Sequence, residues 1–343
     1  MTNHERQNRF FERRLSRREL LFKFLPFGLG VGLAYASCGG SGEPQIAKPT
    51  ETPVRTSTAT PTVENRVYVP VNIRGLCYSP YRDGQDPDTG PHPSGSDIKA
   101  DVDILGLATD YVRTYGAQNN LENIPRFILE KGSEIKVNAG CYLGTNMGVN
   151  EQQINNLIQV AKSSSNVVSV NIGNETQQFN VISEDTLINY IARVREQIPP
   201  TITVTTGDSW YAWTQRPRLV EAVDYIFAHC HPYWESIPVE EAVDHIRGKY
   251  EMLGSLYPGK KIVIGETGWP SEGVPKDRSI PSLENQKRFV EEFLAWANEA
   301  KVDFYLFEAF DENWKAKYES GVGPNWGIYY SNRTPKHPQL TLK

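Results

Sequence analysis

The sequence predicts an α/β fold, a single (β/α)8 TIM barrel, and three observations carry that prediction. Eight apolar runs rich in β-branched residues recur between residues 66 and 343, the composition of strands covered on both faces. Most are separated by stretches of helical periodicity, and strand–helix alternation builds a parallel sheet. The segment is about 280 residues long, an ordinary size for one barrel. An open, doubly wound sheet is the competing arrangement. It calls for a glycine-rich phosphate turn after an early strand, and the chain has none there.

In order, the strand candidates are VNIRGLCY (71–78), DYVRTYG (110–116), IKVNAGCYL (135–143), VVSVNIG (167–173), TITVTT (201–206), VDYIFAHC (223–230), KIVIGE (261–266) and VDFYLFEAF (302–310). The first helix candidate, SDIKADVDILGLA, takes Ser96 as its N-cap and puts Ile98, Val102 and Leu105 on one face. SEDTLINYIARVREQI starts at Ser183, has acids in its first turn and ends before Pro199. VEEAVDHIRGKYEML (239–253) and SLENQKRFVEEFLAWANEA (282–300) follow the same scheme. Residues 207–218 and 320–325 read as loops at the strand ends.

Upstream of the barrel the chain changes character twice. Residues 1–38 combine six arginines with LLFKFLPFGLGVGLAYAS, an apolar stretch broken by Pro26 and glycines that reads as an export signal. SRRELL resembles a twin-arginine motif, and YASCGGSG resembles a lipobox with Cys38 as the lipidated residue. A plain cleaved signal or an uncleaved anchor are the simpler readings of the same residues. Residues 39–65 contain no aromatic, many threonines and four prolines, a composition that buries no core and reads as a solvated linker. The expected location is therefore the cell envelope, on a lipid anchor, or else secreted or periplasmic.

Charge and cysteine usage exclude several partners. The formal net charge is −5, but residues 1–37 hold seven Lys/Arg against three Asp/Glu, leaving the remainder at −9. An acidic domain disfavours nucleic acid or an anionic membrane surface as partner. Cys77, Cys141 and Cys230 each fall inside an apolar run and read as core residues rather than a disulfide framework. A monomer is the default expectation.

The strand ends carry the chemistry. NIGNETQ delivers Asn174 and Glu175, and KIVIGETGWPSEG delivers Glu266, each at the end of a strand too apolar to tolerate an unpaired carboxylate. Barrel chemistry sits where strands end at the carboxyl side. The other strand ends add Tyr78, Tyr81, Arg113, Tyr115, Tyr142, Trp210, His231, Tyr233 and Glu308. Aromatic faces beside carboxylates and amides suit sugar rings, apolar on their C–H faces and polar at their edges.

NIGNETQ and IGETGWPSEG resemble the acid/base and nucleophile strands of glycoside hydrolase family 17, the β-1,3-glucanase and β-1,3-glucanosyltransferase family. GLCYSPY, VRTYG, HPYW and FEAFDENWK…GIYY are similar to its first, second, sixth and eighth strand ends, so the likeness runs from Val71 to Tyr330 and leans toward fungal and bacterial members. It implies a retaining glycosidase making endo-type cuts in β-1,3-glucan, without cofactor or metal. Glu175 would be the acid/base, with a raised pKa in the free enzyme, and Glu266 the nucleophile. Asn174 would bind the sugar 2-hydroxyl; Tyr233, or His231 beside it, would hold Glu266 as a carboxylate. Trp269 and Trp314 would be stacking platforms. Tyr78, Tyr115, Glu308, Glu312, Lys315 and Glu319 would complete the cleft. His229 departs from the family's usual Asn, and SGVGPN (320–325) lengthens a loop, which bears on the sugar subsites.

Blander readings stand beside these. A single strand-end Glu is more often solvated, the tryptophans also suit rim packing, and Glu312 with Lys315 also suits a surface ion pair. HCH (229–231) has a spacing found in metal-dependent barrels, but no other His falls at a strand end. Transglycosylation uses the same two glutamates. A non-catalytic glucan-binding envelope protein is the remaining alternative, and its expected sign, loss of one glutamate, is absent.

Overall fold

A strand that is apolar on both faces needs cover on both, and parallel neighbours with crossover helices supply it. The computed structural model describes residues 73–319 and 321–338. Its eight parallel strands close in sequence order, with the last beside the first. They are β1 Ile73–Cys77, β2 Thr109–Arg113, β3 Lys136–Cys141, β4 Val167–Asn174, β5 Thr203–Ser209, β6 Ile226–His229, β7 Ile262–Thr267 and β8 Asp303–Leu306. Each overlaps its expected run. The expected export segment with Cys38 and the 39–65 linker lie outside the described residues. Among the described residues no helix is long and apolar enough to cross a membrane.

The helices among the described residues are α1 Gly95–Ala108, α2 Ile124–Glu130, α3 Met147–Ser163, α4 Glu184–Gln197, α5 Trp210–Thr214, α6 Pro217–Ala222, α7 Val239–Leu256 and α8 Leu283–Glu299. Helix α1 corrects the sequence reading: its N-cap is Ser94, not Ser96. Ser94 accepts from the Asp97 N–H while the Asp97 side chain returns a bond to the Ser94 backbone, a capping box that Ser96 cannot close. The expected loop 207–218 instead continues β5 to Ser209 and then holds α5 and α6. Ser209 caps the first by accepting from Ala212, and Pro217 starts the second at a position where no N–H is needed.

The main core lies between strands and helices, with Ile98, Leu157, Ile191, Trp213, Ile246 and Phe293 buried against the barrel. A smaller cluster of Cys77, Tyr225, Phe227, Val263 and Tyr305 is separate from it. Cys77, Cys141 and Cys230 are free and buried. At the carboxyl ends the pairing is irregular, with register shifts after Asn171 in β4, at Ala228/His229 in β6 and after Ile264 in β7. Such shifts re-aim side chains, and here they bring His229 opposite Glu266 and Asn174 opposite Gly207.

Candidate active site

Strand β4 ends in a sharp backbone turn. Gly173 has φ +79° and Glu175 φ +50°; the second is a left-handed conformation that an L-residue keeps only when its surroundings enforce it. Two contacts from β5 enforce it. The Glu175 N–H donates to Gly207 O at 2.7 Å, and the Asp208 carboxylate accepts from the Gln177 and Gln178 backbone N–H groups at 2.8 and 3.2 Å. Burial first, then the nearby Glu175, push the Asp208 carboxyl up to about 7 against the pull of these donors. Glu175 is left 7% exposed.

Glu266 is 4% exposed in β7 and surrounded by donors. Arg113 Nη1 reaches its Oε1 at 2.6 Å, the Tyr115 hydroxyl donates to the same oxygen at 3.1 Å, and His231 Nε2 donates to Oε2 at 3.1 Å. Burial alone would raise the Glu266 carboxyl. The Arg113 cation and the hydrogen bond from His231 outweigh it and hold the group well below the usual carboxylate range. Arg113 also stacks under the Tyr115 ring at 4.6 Å and donates to Asn174 Oδ1. His229 lies between the acids, with Nδ1 3.2 Å from Glu175 Oε1 and 3.7 Å from Glu266 Oε2.

A second buried group lies beyond β8. Lys315 Nζ contacts Glu308 at 2.6 and 2.7 Å and Glu312 at 2.7 Å. Glu312 also accepts from Ser79 Oγ and from Trp314 Nε1. Burial raises Glu308 and its neighbour Glu312 adds to the rise, while Lys315 holds Glu312 below its ordinary value despite its burial. The alternative reading of Glu312 and Lys315 as a surface pair fails: with Glu308 they form a buried three-membered network, and removing one member strands the others.

The expected residues divide accordingly. Glu175, Glu266, Asn174 and Tyr115 meet around one centre, and Glu308, Glu312 and Lys315 form the adjoining network. Between Tyr233 and His231, the partner of Glu266 is His231; the Tyr233 hydroxyl donates to Val274 O at 2.7 Å instead. Trp269 is 1% exposed, bonded through Nε1 to Ile280 O and packed on Phe289, so it offers no face for stacking. Tyr78, also 1% exposed, is tied to Asp101 Oδ2 and packs as core. Trp314 keeps a half-buried ring against Tyr81. Arg113, a strand-end residue without an expected role, is the principal partner of Glu266. Its signal was a lone guanidinium inside an apolar run, which a fold buries only opposite an acid.

Glu175, His229 and Glu266 each offer a ligand atom within 4.8 Å of the others, a spacing that suits a metal as well as a pair of catalytic acids. The Arg113 cation, 2.6 Å from Glu266 Oε1, already occupies the position of a positive charge. A divalent ion there would face an always-protonated guanidinium.

Comparison with known proteins agrees with this geometry. The family model of the BtgE/BtgC glycoside hydrolase domain matches residues 75–327. A probable glucan endo-1,3-beta-glucosidase of Aspergillus fumigatus is 27% identical over 276 residues, covering 71% of this chain and 39% of the relative. A probable family 17 glucosidase of Saccharomyces cerevisiae is 30% identical over 264 residues, covering 75% and 65%. The chain thus spans from about two fifths to just under two thirds of the length of these curated relatives. Among solved structures, a Rhizomucor miehei β-1,3-glucanosyltransferase mutant in complex with laminaritriose superposes with a TM-score of 0.68 at 26% identity, covering 79% of this chain and 97% of that one. An endo-laminarinase from Formosa, at 20% identity and a TM-score of 0.67, shares the fold.

Proposed function

The chain belongs to the BtgE/BtgC glycoside hydrolase family, and from that premise we propose that it cleaves β-1,3-linked glucan internally with retention of configuration. One observation carries the reading: oxygens of Glu175 and Glu266 lie within 4.8 Å of each other at the carboxyl end of a closed barrel. Retaining glycosidases hold their carboxyls about 5–5.5 Å apart, whereas inverting enzymes leave room for a water at about 6.5–9.5 Å.

In the first step the Glu175 carboxylic acid gives its proton to the glycosidic oxygen as Glu266 attacks the anomeric carbon, forming a glycosyl-enzyme ester and releasing the aglycone. In the second, the Glu175 carboxylate takes a proton from an incoming hydroxyl. That hydroxyl's oxygen bonds to the anomeric carbon and Glu266 departs. The donors on Glu266 keep it ionised for attack. Asn174 Oδ1 is engaged by Arg113, so the amide turns its N–H toward the sugar 2-hydroxyl. Trp314, with Glu308, Glu312 and Lys315 behind it, lines one wall of the cleft.

Transfer to a sugar hydroxyl in place of water is the second reading. It is favoured by the glucanosyltransferase of Rhizomucor miehei, of which the chain covers 97%. Incubation with laminari-oligosaccharides tests both. Shorter products only mean hydrolysis, products longer than the substrate mean transfer, and neither from folded protein removes the activity. Glu266→Gln should lose on the order of 10⁴-fold or more in turnover; full turnover would unseat the nucleophile.

The protein acts as a monomer on glucan outside the cytoplasm. Residues 1–38 direct export, Cys38 takes the lipid and residues 39–65 tether the barrel of residues 66–343.

A further inference from the structure

His229 is 2% exposed, and both of its ring nitrogens face charged groups. Arg113 Nη1 lies 3.1 Å from Nε2. A guanidinium has donors and no acceptor, so Nε2 presents its lone pair and the ring hydrogen resides on Nδ1. Nδ1 then donates to Glu175 Oε1 at 3.2 Å, with Glu266 Oε2 farther off at 3.7 Å. Burial lowers this imidazole from its usual value against the pull of Glu266 and Glu175, and Arg113 adds to the fall, in the same direction as the neutral tautomer that the Arg113 contact requires.

The slot for the ring is built by two glycines. A Cβ on Gly207 would stand 2.7 Å from Nε2 and 2.8 Å from Arg113 Nη2, and one on Gly265 would stand 3.1 Å from Cδ2. The ring therefore sits where no larger residue on β5 or β7 would let it sit, in contact with the acid and the arginine together.

We propose that His229 is a positioning residue that fixes which oxygen of Glu175 carries the catalytic proton. This deepens the glycosidase reading and rests on it. The carbonyl oxygen of a carboxylic acid is its stronger acceptor, so the oxygen that accepts the Nδ1 hydrogen is the carbonyl and the acid proton resides on Oε2. During glycosylation the Oε2 proton goes to the glycosidic oxygen as the bond to the leaving group breaks and the bond from Glu266 forms. The Nδ1 hydrogen stays on the ring and now faces a carboxylate, where its bond is charge-assisted and stronger. His229 thereby favours the ionised Glu175 that the second step uses as base. The charged groups facing the pair are Arg113 from β2, Asp208 from β5 and Glu266 from β7.

Two measurements test it. Nitrogen-15 NMR of the labelled chain at neutral pH should show His229 protonated on Nδ1 and bare on Nε2; an Nε2–H tautomer or an imidazolium overturns the proposal without reference to activity. In kinetics, His229→Leu should lose about tenfold or more in kcat/KM on laminari-oligosaccharides, against less than about threefold on a dinitrophenyl β-glucoside, whose leaving group needs no proton. The alkaline limb of its kcat/KM profile should move up by about one pH unit. His229→Asn keeps an N–H and should fall between; it decides alone if the leucine variant does not fold. An unmoved alkaline limb, or equal losses on both substrates, makes His229 a packing residue. If the wild type cleaves neither substrate, the glycosidase reading fails while the NMR result still judges the tautomer.

Discussion

At Glu266 two opposed effects meet, and their magnitudes decide its state. Burying a carboxylate without partners costs several kcal/mol, yet Arg113, Tyr115 and His231 all donate to it within 3.1 Å. The donors win, and the folded value falls well below the ordinary 4.5. For a depressed carboxyl, the stabilising contribution is complete above the unfolded value and fades as pH falls through the folded one. The acid limb of kcat/KM should accordingly lie below pH 4.5. Arg113→Lys keeps a charge but loses the fork that reaches Glu266, Asn174 and Gly265 O together. Its acid limb should move up by about one unit, with kcat/KM falling on the order of 10²-fold. A pH–rate profile of both proteins checks this, and coincident acid limbs would show that Arg113 does not hold Glu266 ionised.

At the scale of elements, the site depends on where strands bend rather than on where they run straight. The apolar bodies of β4, β6 and β7 fix the barrel, and the shifts near their carboxyl ends turn Asn174, His229 and Glu266 toward one centre. Strand β5 does comparable work without a catalytic side chain. Gly207 clears the space for His229 and Arg113, and Asp208 pins the backbone after Glu175. Gly207→Ala inserts a methyl 2.7 Å from His229 Nε2. It should destabilise the fold by about 1–3 kcal/mol and cut kcat by on the order of 10²-fold through displacement of His229 and the two glutamates it lies between. Urea unfolding alongside turnover separates the two effects; retained turnover would mean that the ring has another place to go.

For the whole molecule, closure is completed from the far end of the sequence. After β8 the chain returns so that Ile328 and Tyr329 donate to Glu308 and Ala309 carbonyls at 2.9 and 3.0 Å. Arg333 then grips the fully buried Asp101 of α1 through two bonds, and Lys336 pairs with Asp311 at 2.7 Å. Residues more than two hundred positions apart thus tie the last strand to the first helix. At the opposite end, a lipid on Cys38 should make the full chain partition with membranes in a bacterial host, and Cys38→Ala should release it to the soluble fraction. Identical partitioning of the two would remove the anchor.

Strand order, the alternation with helices and the two glutamates were legible in the sequence because they are local patterns. A β-branched run, a helical period and an acid at a strand end each declare themselves within a few residues. The ranking of the remaining polar and aromatic residues was not legible, because burial and partnership depend on what the far side of the barrel supplies. Tyr233 and His231 are two positions apart, yet only one turns toward Glu266. Trp269 follows β7 and is swallowed by packing on Phe289, while Arg113 of β2 reaches across to β4 and β7. Sequence determined that an acid ends each of two apolar strands in a chain of a glycoside hydrolase family. Closure of the barrel decided which side chains set the protonation of those acids, since a carboxyl answers to the charges and hydrogens within a few ångströms, wherever along the chain they originate.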